Sequence, residues 1–261
     1  MHWIEAIILG IIQGLTEFLP VSSSGHLELA KAFFNIDAEQ DLTLTVVVHG
    51  ATVLSTCVVF FSEITGLIKN SFSFKFNYSQ KYLLKIFISM IPVFILGLFF
   101  KDAISSFFGG NIKFIGFMLI ITGCCLISTY FFKASLQTDI NWLDAFIIGI
   151  AQAIAVLPGI SRSGITISTG LILGNKREEV AKFSFLMVII PVIGANLLEL
   201  KYISDLSHPG TDISIYFTAF VAAFLSGMFA CKWMIKLVKK GNLLYFSIYC
   251  FLIGLFTIFF A

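Results

Sequence analysis

Charge is scarce in this chain. Of its 261 residues, 12% are Asp, Glu, Lys or Arg and 58% are hydrophobic, too few charges to cover a soluble core of that size. The apolar residues do not alternate with period two, which speaks against a β-barrel. They run instead in continuous stretches of about 18 or more, the length at which a helix spans a bilayer. Cysteine shows no metal pattern: Cys57, Cys124, Cys125, Cys231 and Cys250 lie in apolar runs, with no CxxC pair and no His at ligand spacing. They read as small packing residues. No charged segment followed by a small-residue cleavage site opens the sequence, so no removable signal peptide is expected. What remains is an all-α polytopic membrane protein.

Six stretches are long enough to cross, at about 42–61, 82–100, 112–132, 180–200, 213–231 and 243–260. Two shorter ones, about 4–19 and 143–157, end in polar Gly/Pro-rich turns, each followed by a further short helix, about 24–35 and 164–174. Segments broken in this way read as re-entrant helix hairpins. The basic residues then partition sharply. One set of loops holds Lys69, Lys75, Lys81, Lys85, Lys133, Lys176, Arg177, Lys182, Lys232, Lys236, Lys239 and Lys240; the other holds Lys31, Lys101, Lys113 and Lys201. The first set marks the cytoplasmic side and leaves both termini outside.

Residues 3–20, "WIEAIILGIIQGLTEFLP", return as residues 142–158, "WLDAFIIGIAQAIAVLP". Trp3 matches Trp142, Glu5 matches Asp144, Gly10 matches Gly149, Gln13 matches Gln152 and, after one gap, Pro20 matches Pro158. Both copies run into Ser-Gly turns, "VSSSGH" and "GISRSG". An odd number of crossings, three, separates the copies, so the second enters from the opposite face. The chain thus reads as one integral membrane domain, 1–261, built from inverted repeats at about 1–132 and 133–261. Such repeats place their site near the bilayer midplane, where broken helix ends meet. Helix N-termini and Ser/Gly turns there are natural anion cradles.

Glu17 and Arg162 are the charged side chains inside the apolar bodies of the two hairpins. Either costs about 2.5–3.5 kcal/mol at membrane depth on insertion scales. A purely structural ion pair would not explain why each sits among hydroxyls and glycines. Arg162, with Ser161, Ser163 and Thr166 around it, suits phosphate oxygens. Gln13 and Glu17 share a helix face at i, i+4 and offer oxygen ligands to one hard cation, which substrate phosphate would complete. Ser22, Ser23, Ser24 and His26 supply nucleophile and acid–base candidates. His49, in "VVVHGAT", is split between core hydrogen bonding and lining the cavity. Together these groups read as phosphoryl transfer from a charged, membrane-held substrate.

At these residues the sequence resembles the bacterial undecaprenyl-diphosphate phosphatases of the bacitracin-resistance type. The resemblance is carried by Gln13–Glu17, by "PVSSSGH" (20–26) and by "PGISRSGIT" (158–166), and it extends over nearly the whole chain. It implies an inner-membrane (cytoplasmic-membrane) enzyme, with its site open to the outer face, that removes the terminal phosphate of a C55 polyprenyl diphosphate. It also implies a divalent cation, Mg²⁺ or Ca²⁺, and resistance to bacitracin, which sequesters the diphosphate. Its partners would be the lipid substrate and membrane lipids, with a homodimer compatible and nucleic acid not involved. Carried over by motif, Glu17 is the essential carboxylate, Ser23 and His26 are catalytic candidates, and Arg162 is the diphosphate clamp assisted by Ser161, Ser163 and Thr166. Gln13 removes one charge from the acidic element, so a two-carboxylate metal site is not available.

Three attacking groups remain open. With Ser23 attacking, Glu17 or His26 takes its proton; with His26 attacking, a phosphohistidine forms; a bound water would leave no phosphoenzyme. The alternative of another class is a polyprenyl-phosphate transporter or flippase, because inverted repeats with broken helices are also a transporter architecture. The other membrane lipid-phosphatase superfamily shares an "SGH" triplet but needs His six residues after its Arg, and that position holds Ser168.

Overall fold

A computed structural model of the chain describes residues 1–34, 36, 38–73, 76–100, 107, 111–131, 138–205 and 213–260. In chain order the helices are α1 (Trp3–Phe18), α2 (Ser23–Phe34), α3 (Ala38–Val59), α4 (Phe61–Ser71), α5 (Tyr78–Phe99), α6 (Ile112–Phe131), α7 (Trp142–Ile154), α8 (Arg162–Ile172), α9 (Arg177–Met187), α10 (Ile189–Asp205), α11 (Ile213–Lys240) and α12 (Leu244–Phe260). Among the described residues the β-structure is confined to an isolated bridge between Thr138 and Asn175. Helix is the expected outcome in an apolar solvent, because it satisfies every backbone N–H and C=O within the segment.

Among the described residues, four helical stretches are long and apolar enough to cross a membrane: Tyr78–Phe99, Ile112–Phe131, Arg177–Leu198 and Ile213–Lys240. The third combines α9 with most of α10. A fifth candidate is Thr43–Val59 with Phe61–Ser71, bent by 72° at Phe60. The stretch expected at 243–260 is helix α12, whose 17 residues rise about 26 Å, short of a hydrocarbon core of about 30 Å. The chain is therefore an all-helical membrane protein. Lys75, Lys101 and Lys133 of the charge partition lie outside the described residues. Phe99, Phe229 and Phe259 are exposed on α5, α11 and α12, as suits surfaces whose solvent is lipid.

The shorter apolar stretches form α1 and α7, and the matched acids explain how each begins. The backbone N–H of His2 donates to Glu5 Oε2 at 2.7 Å, and that of Asn141 donates to Asp144 Oδ2 at 3.1 Å. Asn141 Oδ1 accepts in return from the Asp144 N–H. Each acid thus satisfies an orphan donor at the helix start and complements its dipole.

The matched glycines explain where α1 and α7 lie. Helix α1 packs on α11 and α7 packs on α5, while α6 and α12 pack on each other. A Cβ on Gly10 would run into the carbonyl oxygen of Ala219 on α11, and one on Gly149 into that of Ser89 on α5. Both helices therefore approach their neighbours backbone to backbone, as small residues permit in membranes.

Candidate active site

Helix α1 ends at Phe18, before Pro20, and the chain turns through Ser22 into α2. Ser22 has φ +70, a left-handed conformation unfavourable for a residue with a Cβ. It is held there by the caps it makes: Ser22 Oγ accepts from the Gly25 N–H at 3.2 Å and lies 3.3 Å from Ser24 Oγ. The second hairpin repeats the arrangement. Ser161 Oγ accepts from the Gly164 N–H at 3.0 Å and lies 3.3 Å from Ser163 Oγ. Helix α6 anchors this turn, since the Ser161 N–H donates to Thr122 Oγ1 at 2.9 Å. Aligned on Gly25 and Gly164, Ser22 matches Ser161 and Ser23 matches Arg162. The nucleophile candidate and the phosphate-clamp candidate are thus the opening residues of α2 and α8.

Glu17 joins the two halves. Its Oε1 accepts from Arg162 Nη2 at 2.7 Å. Its Oε2 accepts from Ser23 Oγ at 2.7 Å and from Gln13 Nε2 at 3.0 Å. The Glu17 and Arg162 side chains are 12% and 14% exposed, so their charges are mostly withdrawn from solvent and depend on each other. Arg162 Nη1 also donates to the Ser184 carbonyl at 3.2 Å. Thr166 Oγ1 donates to the Arg162 carbonyl at 2.7 Å and lies 2.6 Å from Ser184 Oγ. Helix α9 therefore braces the arginine at both its tip and its base.

These groups open onto a cavity of about 240 Å³. Its polar wall is made by Glu17, Ser23, Ser24, Ser161, Arg162 and three residues the site motifs did not include, Thr16, His49 and Gln152. Its apolar wall includes Val93, Ala155, Val156, Val188 and Val192. The other residues expected at the site stand behind this surface. Gln13 is fully buried against Glu17, Ser22 caps α2, Ser163 Oγ donates to the Leu19 carbonyl at 3.3 Å, and Thr166 supports Arg162.

His26 sits differently. Its Nδ1 is 2.8 Å from the Ser22 carbonyl and its Nε2 is 2.8 Å from the Tyr249 hydroxyl. A carbonyl only accepts, so Nδ1 carries the proton and the neutral ring's Nε2 accepts from Tyr249. The two rings stack with centroids 5.5 Å apart, and His26 is not on the cavity wall. His49 does lie on that wall, with Nδ1 donating to the Thr45 carbonyl at 2.8 Å. For Gln152 the sequence held a signal, its repeat match to Gln13; His49, which the sequence left between a core hydrogen bond and the cavity wall, does both.

Among the described residues no three His, Cys, Asp or Glu side chains come together. A cation would therefore rest on few protein oxygens. Glu17 provides a carboxylate, and the buried Gln13 Oε1 has no hydrogen-bond partner. This all-oxygen pair fits a hard cation that keeps water or phosphate in its remaining positions.

The family model described as "Bacitracin resistance protein BacA" matches residues 6–256. The chain is 51% identical over 260 residues to an undecaprenyl-diphosphatase of Parabacteroides distasonis, covering 99% of this chain and 98% of the relative. An undecaprenyl-diphosphatase of Bacteroides fragilis is 50% identical over 260 residues with the same coverage. One from Methanococcus vannielii is 43% identical over 261 residues, covering 98% of this chain and 99% of the relative.

Proposed function

The chain belongs to the bacitracin resistance protein BacA family, and on that premise we propose that it is an undecaprenyl-diphosphatase, hydrolysing undecaprenyl diphosphate to undecaprenyl phosphate and inorganic phosphate. The product is the lipid carrier used again in peptidoglycan and other cell-wall synthesis. Depleting the diphosphate confers resistance to bacitracin. One observation carries the reading: Glu17 contacts both the Ser23 hydroxyl and the Arg162 guanidinium at the wall of a half-apolar cavity. A transporter needs a passage for the headgroup but no hydroxyl paired to a carboxylate, and the relatives named above are phosphatases.

The mechanism follows from these contacts. Arg162 turns its fork to the diphosphate, and the α2 and α8 N-termini face the same charge. Ser23 Oγ bonds to the terminal phosphorus as that phosphorus parts from the bridging oxygen. The hydroxyl proton passes to Glu17 Oε2, and undecaprenyl phosphate leaves. Water then cleaves the Ser23 phosphoester, releasing inorganic phosphate, while Glu17 returns the proton to Ser23 Oγ. His26, with both ring nitrogens engaged, acts as a positioning residue that holds the strained Ser22 turn. Glu17 and Gln13 would hold Mg²⁺ or Ca²⁺, which when bound neutralises charge on the transferred phosphoryl group.

The finer architecture belongs to the same reading. Six crossings and two re-entrant hairpins are arranged as inverted repeats at about 1–132 and 133–261. Support comes from the exchanged packing, α1 on α11 and α7 on α5, and from the paired serine caps. The excess of basic residues on one side supports a site open to the outer, periplasmic face of the cytoplasmic membrane.

Purified protein in detergent, given undecaprenyl diphosphate and Mg²⁺ or Ca²⁺, should release phosphate without any vectorial movement. Glu17→Ala and Arg162→Ala should release none while remaining folded. Absence of release by the unaltered protein with either cation overturns the enzyme reading.

A further inference from the structure

We propose that Gln152 is the ligand of the lipid-linked phosphate, the one that remains on the polyprenyl chain; this deepens the phosphatase reading and rests on it. The starting point is an asymmetry between the repeats. In the first copy, Gln13 Nε2 donates to Glu17 Oε2 one helical turn on. In the second, the residue four after Gln152 is Val156, which offers no acceptor. Gln152 is 3% exposed, and neither its Oε1 nor its Nε2 has a hydrogen-bond partner. A buried carboxamide with both ends idle destabilises a protein unless something else binds it. Gln152 also lines the cavity that holds Glu17, Ser23 and Arg162.

Position within the cavity identifies the phosphate. The reacting phosphate must lie at Ser23, beside Glu17, on the α1–α2 side. Gln152 stands on α7 about one helical turn before Ala155 and Val156, which belong to the apolar wall. The phosphate on that side is the one joined to the hydrocarbon chain. An amide N–H suits the task because it donates to phosphate oxygen without adding charge. The departing monophosphate gains negative charge in the reaction, and a second cation in this place would hold the product. A carboxylate, as at Glu17 in the other copy, would repel it.

The test uses the full-length protein in detergent with Gln152→Met, which keeps length and volume but has no N–H, and Gln152→Ala. Hydrolysis of undecaprenyl diphosphate is measured alongside direct calorimetric binding of geranylgeranyl monophosphate and inhibition by inorganic phosphate. The loss of one hydrogen bond to a charged group should raise KM and the Kd for geranylgeranyl monophosphate roughly tenfold or more. The inhibition constant of inorganic phosphate should stay within about twofold of the unaltered protein. The melting temperature of Gln152→Met should not fall, because no protein hydrogen bond is removed. Unchanged KM and Kd, or a lowered melting temperature with unchanged Kd, overturns the proposal. An equal weakening of inorganic phosphate also overturns it, because the amide would then serve the terminal phosphate. If the unaltered protein releases no phosphate, the parent reading fails, and the calorimetric arm alone decides the role of Gln152.

Discussion

Replacing Arg162 by Met removes the only cation contacting Glu17 among the described residues while keeping an apolar stem of similar reach. Glu17 is then left 12% exposed with its charge uncompensated. Removing one partner of a buried ion pair costs about 3–5 kcal/mol. Ser23 at 2.7 Å and Gln13 at 3.0 Å continue to donate to the carboxylate, so the lower end, about 3 kcal/mol, is expected. Adding Glu17→Gln in the same chain removes the stranded charge, and most of that loss should return. The assay is a double-mutant cycle of unfolding free energies in mixed micelles, with phosphate release measured on every variant. Stability should fall in Arg162→Met and recover in the double variant. Activity should fall about 10²–10³-fold or more with Arg162→Met, the scale for removing one transition-state donor, and should not recover in the double variant. A stability change below about 1 kcal/mol would show that the pair is solvated and refute the burial argument. Recovery of activity in the double variant would refute the catalytic one.

The nucleophile assignment predicts that Ser23→Ala abolishes phosphate release while the melting temperature stays close to that of the unaltered protein; acid-labile, base-stable phosphate trapped on His26 would sink the serine mechanism. Tyr249→Phe removes one hydrogen bond from His26, so it should cost about 1 kcal/mol of stability and lower activity only several-fold. Complete loss of activity, measured by phosphate release, would mean that the His26–Tyr249 pair takes part in the chemistry. Gly149→Val drives a side chain into the Ser89 backbone on α5 and should reduce folded yield, scored by size-exclusion chromatography, whereas Gly97→Ala meets open space and should not. Chelation with EDTA should abolish hydrolysis and Mg²⁺ or Ca²⁺ should restore it, with Gln13→Leu raising the cation concentration required.

Much of the architecture was legible because its causes are local. Period, length and flanking turns located α1, α2, α7 and α8 to within two or three residues, since Pro20 and Pro158 break the helices wherever they occur. The repeat was visible because Trp, acid, Gly, Gln and Pro matches are improbable in an Ile/Leu-rich background. The bend at Phe60 was not visible, since no Pro or Gly marks it. The Glu17–Arg162 contact joins residues 145 apart; only the cost of two isolated charges in hydrocarbon pointed to it. His26 and His49 mark the limit. Motif position put His26 beside Ser23, but the left-handed turn at Ser22 aims its ring at Tyr249, 223 residues away.

By itself, the sequence determined that this is a helical membrane protein, with hydroxyls, a carboxylate and a guanidinium placed near the ends of short apolar helices. Those features follow from composition and short-range pattern, which act through solvent and backbone. Only the tertiary structure decided which of those groups share a wall. It put Ser23 and Arg162 on opposite oxygens of one carboxylate, turned His26 away and left the Gln152 amide unpaired at the cavity wall. The reason is geometric: direction in space depends on how α1 and α7 seat against α11 and α5, and no spacing along the chain encodes it.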